Sequence, residues 1–113
     1  MLSIARHFTD KVDIYGLVED GASLEYSLIA EGVACHIQPQ DGNYIEDSTG
    51  MYGKSYVVFT NYRDDIAEGA KLVATTAGGT YSLRVVEVEN FDFQGRKRHI
   101  ELRCRIFDNI IKD

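Results

Sequence analysis

Eight residues near the end of the chain, His99-Ile-Glu-Leu-Arg-Cys-Arg-Ile106, alternate strictly between polar and apolar side chains. Successive side chains of a β-strand point to opposite faces, so one face of this segment is apolar and the other charged. The apolar set is Ile100, Leu102, Cys104 and Ile106, and the polar set is His99, Glu101, Arg103 and Arg105. The pattern predicts a strand with one buried and one wet face, which is typical of antiparallel sheets.

Five further runs rich in Val, Ile, Tyr and Phe show similar alternation, with turn residues between them. They are centred on residues 11–15, 33–37, 55–60, 71–76 and 80–88. The alternation changes phase at Val85-Val86, which predicts a bulge or a strongly bent strand. Ala77-Gly78-Gly79 predicts a tight hairpin, because glycine tolerates positive φ, whereas Asn90 to Gly95 predicts a longer turn.

Six short strands in 113 residues predict a mainly β protein, a small antiparallel β-barrel whose closure removes exposed sheet edges. Hydrophobic residues make up 44% of the chain, enough for one core, so we expect a single domain over residues 1–113. Little helix is expected, with candidates at Leu2–Phe8 and near Leu28.

The segment from about 38 to 53 exceeds the ~4–6 residues that usually connect elements of compact domains. We expect one long loop here, and we expect residues 39–53 to have a function, because long loops commonly do. The candidate functional residues are Asp41, Gly42, Tyr44, Ile45, Glu46, Asp47, Gly50, Met51, Tyr52 and Gly53. The alternative is a mobile hairpin extension without a function.

The formal net charge of −6 is unevenly distributed, with −9 on residues 1–93 and +3 on residues 94–113. The acidic body disfavours DNA binding, which depends on Lys and Arg neutralising phosphates. The basic residues that we single out are Arg96, Lys97, Arg98, Arg103 and Arg105. They predict a contact with a neighbouring subunit or partner, and the alternatives are a solvated strand face or a short nucleic-acid contact.

The sequence predicts no catalytic residues, no metal ligands and no cofactor, so we do not expect an enzyme. The three histidines lie in no metal-ligand spacing, and no nucleophile elbow, phosphate loop or dinucleotide motif occurs. Cys35 and Cys104 lie in the apolar phase of their strands, which predicts two reduced, buried thiols. No apolar stretch approaches the ~18 residues of a membrane helix, and the first residues lack an export signal, so we expect no membrane partner.

The order of these features resembles the head-closure, or stopper, family of long-tailed bacteriophages, a family of head-tail joining proteins. The resemblance covers about Asp10 to Phe107 and depends on motif order and loop length. The matching segments are Asp10-Lys-Val-Asp-Ile-Tyr15, Cys35-His-Ile-Gln-Pro-Gln-Asp-Gly42, Tyr52-Gly-Lys-Ser-Tyr56, Ile66-Ala-Glu-Gly-Ala-Lys-Leu72 and Tyr81-Ser-Leu-Arg-Val-Val86.

The resemblance implies a barrel that is monomeric in solution and forms a homo-oligomeric ring, commonly of twelve copies, in the virion. The ring would assemble in the bacterial cytoplasm below the portal and its adaptor ring, retain packaged DNA and offer a surface to the tail. DNA would pass the channel without specific binding, and residues 39–53 would form a gate. Neighbouring roles remain open, namely tail terminator or tail completion, as does a free-standing barrel of oligonucleotide-binding type.

Overall fold

The computed structural model describes residues 9–20, 23–47, 49–76, 79–93 and 96–107. Its strands are β1 (Asp10–Asp20), β2 (Ser23–Glu46), β3 (Tyr52–Asn61), β4 (Lys71–Thr76), β5 (Gly79–Phe93) and β6 (Arg96–Ile106). They pair antiparallel in the order β1-β2-β3-β6-β5-β4, and β4 pairs with β1 to close the barrel. The predicted six-stranded antiparallel barrel is confirmed. Leu28 lies in β2 and in no helix, and Leu2–Phe8 falls outside the described residues.

The barrel interior holds the apolar phase of all six strands. Its buried strand residues are Val12, Ile14, Cys35, Ile37, Val58, Leu72, Ala74, Leu83, Val85, Ile100, Leu102 and Cys104. Ile66 and Ala70 join them from the connection between β3 and β4. Both cysteines are free and buried as predicted. Burial, aided by the nearby Asp10 carboxylate, raises the pKa of Cys35 to about 12.

The predicted phase change in β5 is a β-bulge. Val85 lies opposite Cys104 and Glu87 lies opposite Arg103, so Val86 is the extra residue of the pair of strands. After the bulge, Val88 packs against the core again. The bulge thus lets one long strand keep its apolar residues on the inner side of a curved sheet.

Two predicted connections are more regular than expected. β5 runs to Phe93 and β6 begins at Arg96, so the longer turn predicted at Asn90–Gly95 is mostly strand. The segment 38–53 is a bulged hairpin and not a long loop, because β2 continues to Glu46 and β3 begins at Tyr52. Its backbone groups are satisfied by a ladder, with Tyr44, Ile45 and Glu46 opposite Lys54, Gly53 and Tyr52.

Two hairpins therefore extend from the barrel. We call residues 16–28 the first arm, because β1 leaves its ladder with β4 at Tyr15 but stays paired with β2. We call residues 40–54 the second arm, in which the end of β2 pairs with the start of β3. Between the arms runs a row of neighbouring residues on adjacent strands, which we call the outer row. Its members are Tyr15, Lys71, Arg84, Arg105 and Ser55.

Candidate functional site

The second arm has one face on the barrel and one face in solvent. Tyr44 is 67% exposed and Tyr52 66%, whereas Asp47 is 6% exposed and Gly53 is buried. This sorting follows from strand alternation, which sends Glu46 and the tyrosines outward. The segment is therefore an anchored two-stranded arm with an aromatic outer surface.

Asp47 stands where β2 passes into the turn, and one of its carboxylate oxygens organises that turn. Oδ1 accepts hydrogen bonds from the backbone N of Thr49 at 2.9 Å, from Thr49 Oγ1 at 2.6 Å and from the backbone N of Met51 at 3.1 Å. The backbone N of Asp47 donates to the carbonyl of Met51 at 2.9 Å, and that of Gly50 donates to the carbonyl of Asp47 at 3.0 Å. Such side-chain caps are characteristic of aspartate in turns.

The other oxygen of Asp47 connects the arm to the barrel wall. Oδ2 lies 2.7 Å from Nε of Arg105 and 3.3 Å from Nε of Arg84, and these arginines face each other across β5 and β6. Side-chain exposures are 2% for Asp47, 5% for Arg105 and 16% for Arg84. Because these charges are taken out of water, removing one of them would leave an uncompensated buried ion.

Two opposing effects set the pKa of Asp47, namely burial and hydrogen bonding. Burial alone would raise the pKa of the carboxyl, but the hydrogen bonds from Thr49, Arg105 and the backbone of Met51 and Thr49 favour the charged form. The net effect lowers the pKa well below the ordinary range of aspartate. Asp47 is therefore an anion throughout the neutral and mildly acidic range.

Glycine permits the close approach between the second arm and β6. A Cβ built on Gly53 would lie 2.9 Å from the carbonyl O of Ile106 and 3.3 Å from Cβ of Arg105. Gly42, with a φ of 79°, lies in an irregular stretch in which residues 40–43 stand opposite Ser55 alone. The side chain of Ser55 donates to Oε1 of Gln40 at 2.8 Å, which fixes the base of the arm.

The structure corrects two of the predicted site residues. Asp47 was expected on a long loop that forms a gate, but it is buried at the end of a strand and paired with arginine. Arg105 was expected on the wet face as a subunit or partner contact, but it is 4% exposed. The physical reason is that the second arm folds over the outer side of β6 and covers that position.

The other predicted residues keep their surface positions or lie outside the description. Arg103 is half-buried, with Nε 3.7 Å from Glu87 and a terminal nitrogen 3.5 Å from Glu89, pairs that stabilise little at a surface. Tyr44, Glu46, Met51 and Tyr52 are exposed and Ile45 is half-buried. The side chains of Asp41, Arg96, Lys97 and Arg98 lie outside the described part of the chain, so their predicted roles stay predictions.

The first arm carries an apolar surface that the sequence analysis missed. Leu17 is 39% exposed, Val18 46%, Leu28 47% and Ile29 38%. The signal was present in the two adjacent apolar residues Leu17-Val18, because neighbours on a strand face opposite sides and a barrel buries only one side. These side chains lie on both faces of the arm, and the described part of the chain leaves them exposed.

A cleft of about 320 Å³ lies beside the first arm, and we call it the first-arm cleft. The arm supplies one wall and the connection between β3 and β4 supplies the other. Its lining residues are Gly16, Leu17, Val18, Ser27, Ile29, Asp65, Ala67, Glu68 and Ala70. Its lining is mostly apolar and includes two carboxylates, those of Asp65 and Glu68.

Ring contacts hold the first arm to the outer row. The Tyr26 hydroxyl donates to the carbonyl of Gly69 at 3.1 Å, and Nζ of Lys71 lies 5.2 Å from the Tyr26 ring centroid and 5.3 Å from that of Tyr15. The Tyr26 ring meets Phe107 edge-on, with centroids 6.2 Å apart. These contacts are partly exposed, unlike the ion pair beneath the second arm.

Within the described ranges, no group of three or more His, Cys, Asp or Glu side chains is placed to hold a metal ion. The same part of the chain contains no helix that is long and apolar enough to cross a bilayer. The features that stand out are thus surfaces, namely the aromatic face of the second arm and the first-arm cleft. No family model, curated protein or solved structure matches this chain.

Proposed function

We propose that this protein is a structural component of the head-to-tail connector of a long-tailed bacteriophage, of the head-closure or stopper kind. Its copies form a ring below the portal and adaptor, help to retain packaged DNA and give the tail an attachment surface. The observation that carries the proposal is the second arm, a hairpin anchored by a buried ion pair with Tyr44, Met51 and Tyr52 exposed. Exposed aromatic residues on a rigid support are the usual centres of protein interfaces.

The acidic character of the chain suits a channel through which DNA slides. Negative charge repeated around a ring repels phosphate and prevents sticking. Asp47 does not contribute, because its charge is neutralised by arginine. The proposed collar therefore depends on Asp41 and Glu46.

The gate, in this proposal, is the whole second arm and not a flexible loop. Its hinge is the irregular stretch at residues 40–43, where the ladder is interrupted and Gly42 adopts positive φ. Its closed position is the one held by Asp47 against Arg84 and Arg105. Opening requires that this contact be replaced by another one in the assembled particle.

A tail terminator or tail completion protein is a second candidate, since it would also be a small ring-forming barrel. A nucleic-acid-binding barrel is less well supported by the final strand. Arg103 faces Glu87 and Glu89, and Arg105 faces Asp47, so carboxylates compensate both of these arginines. Their charge is not available for phosphate in this arrangement.

The proposal is tested by measuring the mass of the purified chain by light scattering, alone and with a portal–adaptor complex, followed by electron microscopy. We expect a monomer that becomes a ring only on the complex. The double variant Tyr44→Ser/Tyr52→Ser should form rings poorly, whereas the exposed control Glu31→Gln should behave as the unmodified chain. Binding to tail tubes alone would favour the tail terminator, and salt-sensitive binding to single-stranded DNA would favour the nucleic-acid barrel.

A further inference from the structure

We propose that the outer face of the second arm docks in the first-arm cleft of a second copy of this chain. The outer face consists of Tyr44, Glu46, Tyr52 and Lys54, which are all exposed. This inference rests on the proposed function, because it names the contact that joins neighbouring copies of the ring.

The outer face is a compact aromatic surface with a cation in it. Tyr44 lies directly opposite Lys54 in the ladder, and Glu46 lies directly opposite Tyr52. The anchored base of the arm holds these side chains on a fixed backbone, which reduces the entropy that docking would cost. Tyrosine suits such a contact, since its ring offers a large apolar area while its hydroxyl stays satisfied, as that of Tyr52 is by Glu46.

The first-arm cleft is matched to such a surface in size and polarity. Its volume of about 320 Å³ is near the lower end of the ~300–1,000 Å³ typical of ligand pockets, so it suits side chains of a partner. Leu17, Val18 and Ile29 line the cleft with apolar side chains that are exposed in the described part of the chain. Covering them removes apolar surface from water on both partners.

Charge fixes the direction in which the two surfaces meet. Lys54 is the cation of the outer face, whose one carboxylate, Glu46, already accepts a hydrogen bond from the Tyr52 hydroxyl, and Asp65 and Glu68 are the carboxylates of the cleft. Asp65 already lies 2.8 Å from the Arg63 guanidinium, so the exposed Glu68 is the principal partner for Lys54. Complementary charges at the rim of an interface select the partner and its register.

The two surfaces occur at separate places on one molecule. They are separated by the outer row, which spans four strand spacings from Tyr15 to Ser55, or roughly 19 Å at ~4.8 Å each. One copy thus carries two different surfaces, the outer face of the second arm and the first-arm cleft. A contact of this kind is heterologous, and it produces a closed ring when the rotation between copies closes.

The experiment combines photo-crosslinking with a charge swap. p-Benzoylphenylalanine replaces Tyr52, the purified chain is irradiated at a concentration high enough for transient contacts between monomers to be captured, and the adducts are mapped by mass spectrometry. We expect covalent dimers linked to residues 16–29 or 65–70 of the second copy. The same probe at the exposed position Gln38 serves as a control and should give few dimers.

Lys54→Glu and Glu68→Lys should each lower the yield of dimer about fivefold, because each places like charges together. The double variant Lys54→Glu/Glu68→Lys should restore it, since the swapped charges attract again. Both positions are exposed, so folding is checked simply by protection of the two buried thiols. Absence of dimers, adducts elsewhere on the chain, or a double variant as poor as the single ones would overturn the contact.

The outcomes separate this contact from the proposed function. Dimers with the expected adducts, from a chain that ignores the portal–adaptor complex, would uphold the contact and reject the connector role. A chain that forms rings on the complex but whose position 52 crosslinks to the adaptor would uphold the role and reject the contact.

Discussion

The two arms of the barrel are both extensions of paired strands, yet they are held in different ways. The second arm is fixed by a buried carboxylate that pairs with two arginines and by a glycine in close contact with β6. The first arm is held by the Tyr26 hydroxyl and by partly exposed ring contacts. The difference shows that one buried side chain can decide whether a hairpin is a rigid part of a wall or an adaptable edge.

The largest expected effect is that of Asp47→Asn. It leaves the charges of Arg84 and Arg105 uncompensated, and the loss of one partner of a buried ion pair costs about 3–5 kcal/mol of unfolding free energy. The counterpart Tyr26→Phe removes one hydrogen bond and should cost about 0.5–1.5 kcal/mol. Urea denaturation measures both, with Glu31→Gln as an exposed control. Equal costs for Asp47→Asn and Tyr26→Phe would show that the two arms are held alike.

Alanine at Gly53 and at Gly16 gives the next largest contrast. The added Cβ would meet the backbone O of Ile106 at 2.9 Å in one case and the side-chain Cδ1 of Ile29 at 2.8 Å in the other. A backbone atom cannot rotate away, so Gly53→Ala should cost about 1–3 kcal/mol, whereas Ile29 can change rotamer and Gly16→Ala should cost less than ~1 kcal/mol. Thermal unfolding of the two variants tests this order, and a reversed order would contradict the close packing of the second arm.

Acid should weaken the second arm selectively. The pKa of Asp47 is lowered in the folded chain, so its stabilisation is complete above the ordinary pKa of ~3.9 and is lost as the pH falls towards the folded value. The gap in stability between the unmodified chain and Asp47→Asn should therefore shrink from pH 7 to about pH 2.5. The gap for Tyr26→Phe should stay constant, because this substitution removes one hydrogen bond and no charge. Urea midpoints at several pH values would show whether the two gaps behave differently.

The smallest expected effect is on the two buried thiols. Burial raises the pKa of Cys35 to about 12 and also raises that of Cys104, so neither forms a thiolate readily in the folded chain. Alkylation by iodoacetamide should be slow in the native state, and Gly16→Ala or Tyr26→Phe should leave it slow. Rapid labelling in either variant would mean that the first arm is part of the cooperative core and not an edge.

The sequence predicted the features that depend on local pattern. The alternation at 99–106 places Ile100, Leu102 and Cys104 inside, and the phase change at Val85-Val86 is the bulge. The pairing of Asp47 with Arg105 was beyond local pattern, because the residues are 58 positions apart and their meeting depends on how an arm folds over the wall. For the same reason alternation identified Arg105 as outward-facing but could not show that this outer position is covered.

The candidate site was likewise predictable in its local features and not in its tertiary arrangement. An unusual segment at 38–53 was recognisable from its length and composition. Its strand pairing was not, because its glycines and polar residues interrupt the apolar alternation that indicates a strand, although Tyr44 pairs with Lys54. The first-arm cleft escaped notice because its walls come from two separate parts of the chain. Composition thus identified the segment 38–53 as unusual, but only the tertiary structure showed that it is a hairpin.

β2 also has a consequence for how this protein can change in length. One continuous strand, Ser23–Glu46, supplies half of each arm and pairs on both sides at Cys35, with Asp10 and Thr60. A single inserted or deleted residue near Cys35 would turn every later side chain of β2 to the opposite face. Tyr44 would then point inward, and Asp47, which directly follows β2, would point outward. The unpaired stretch at 40–43 could absorb the same change without reversing either arm. Insertions and deletions within β2 should therefore be tolerated best at residues 40–43, where the ladder with β3 is already interrupted.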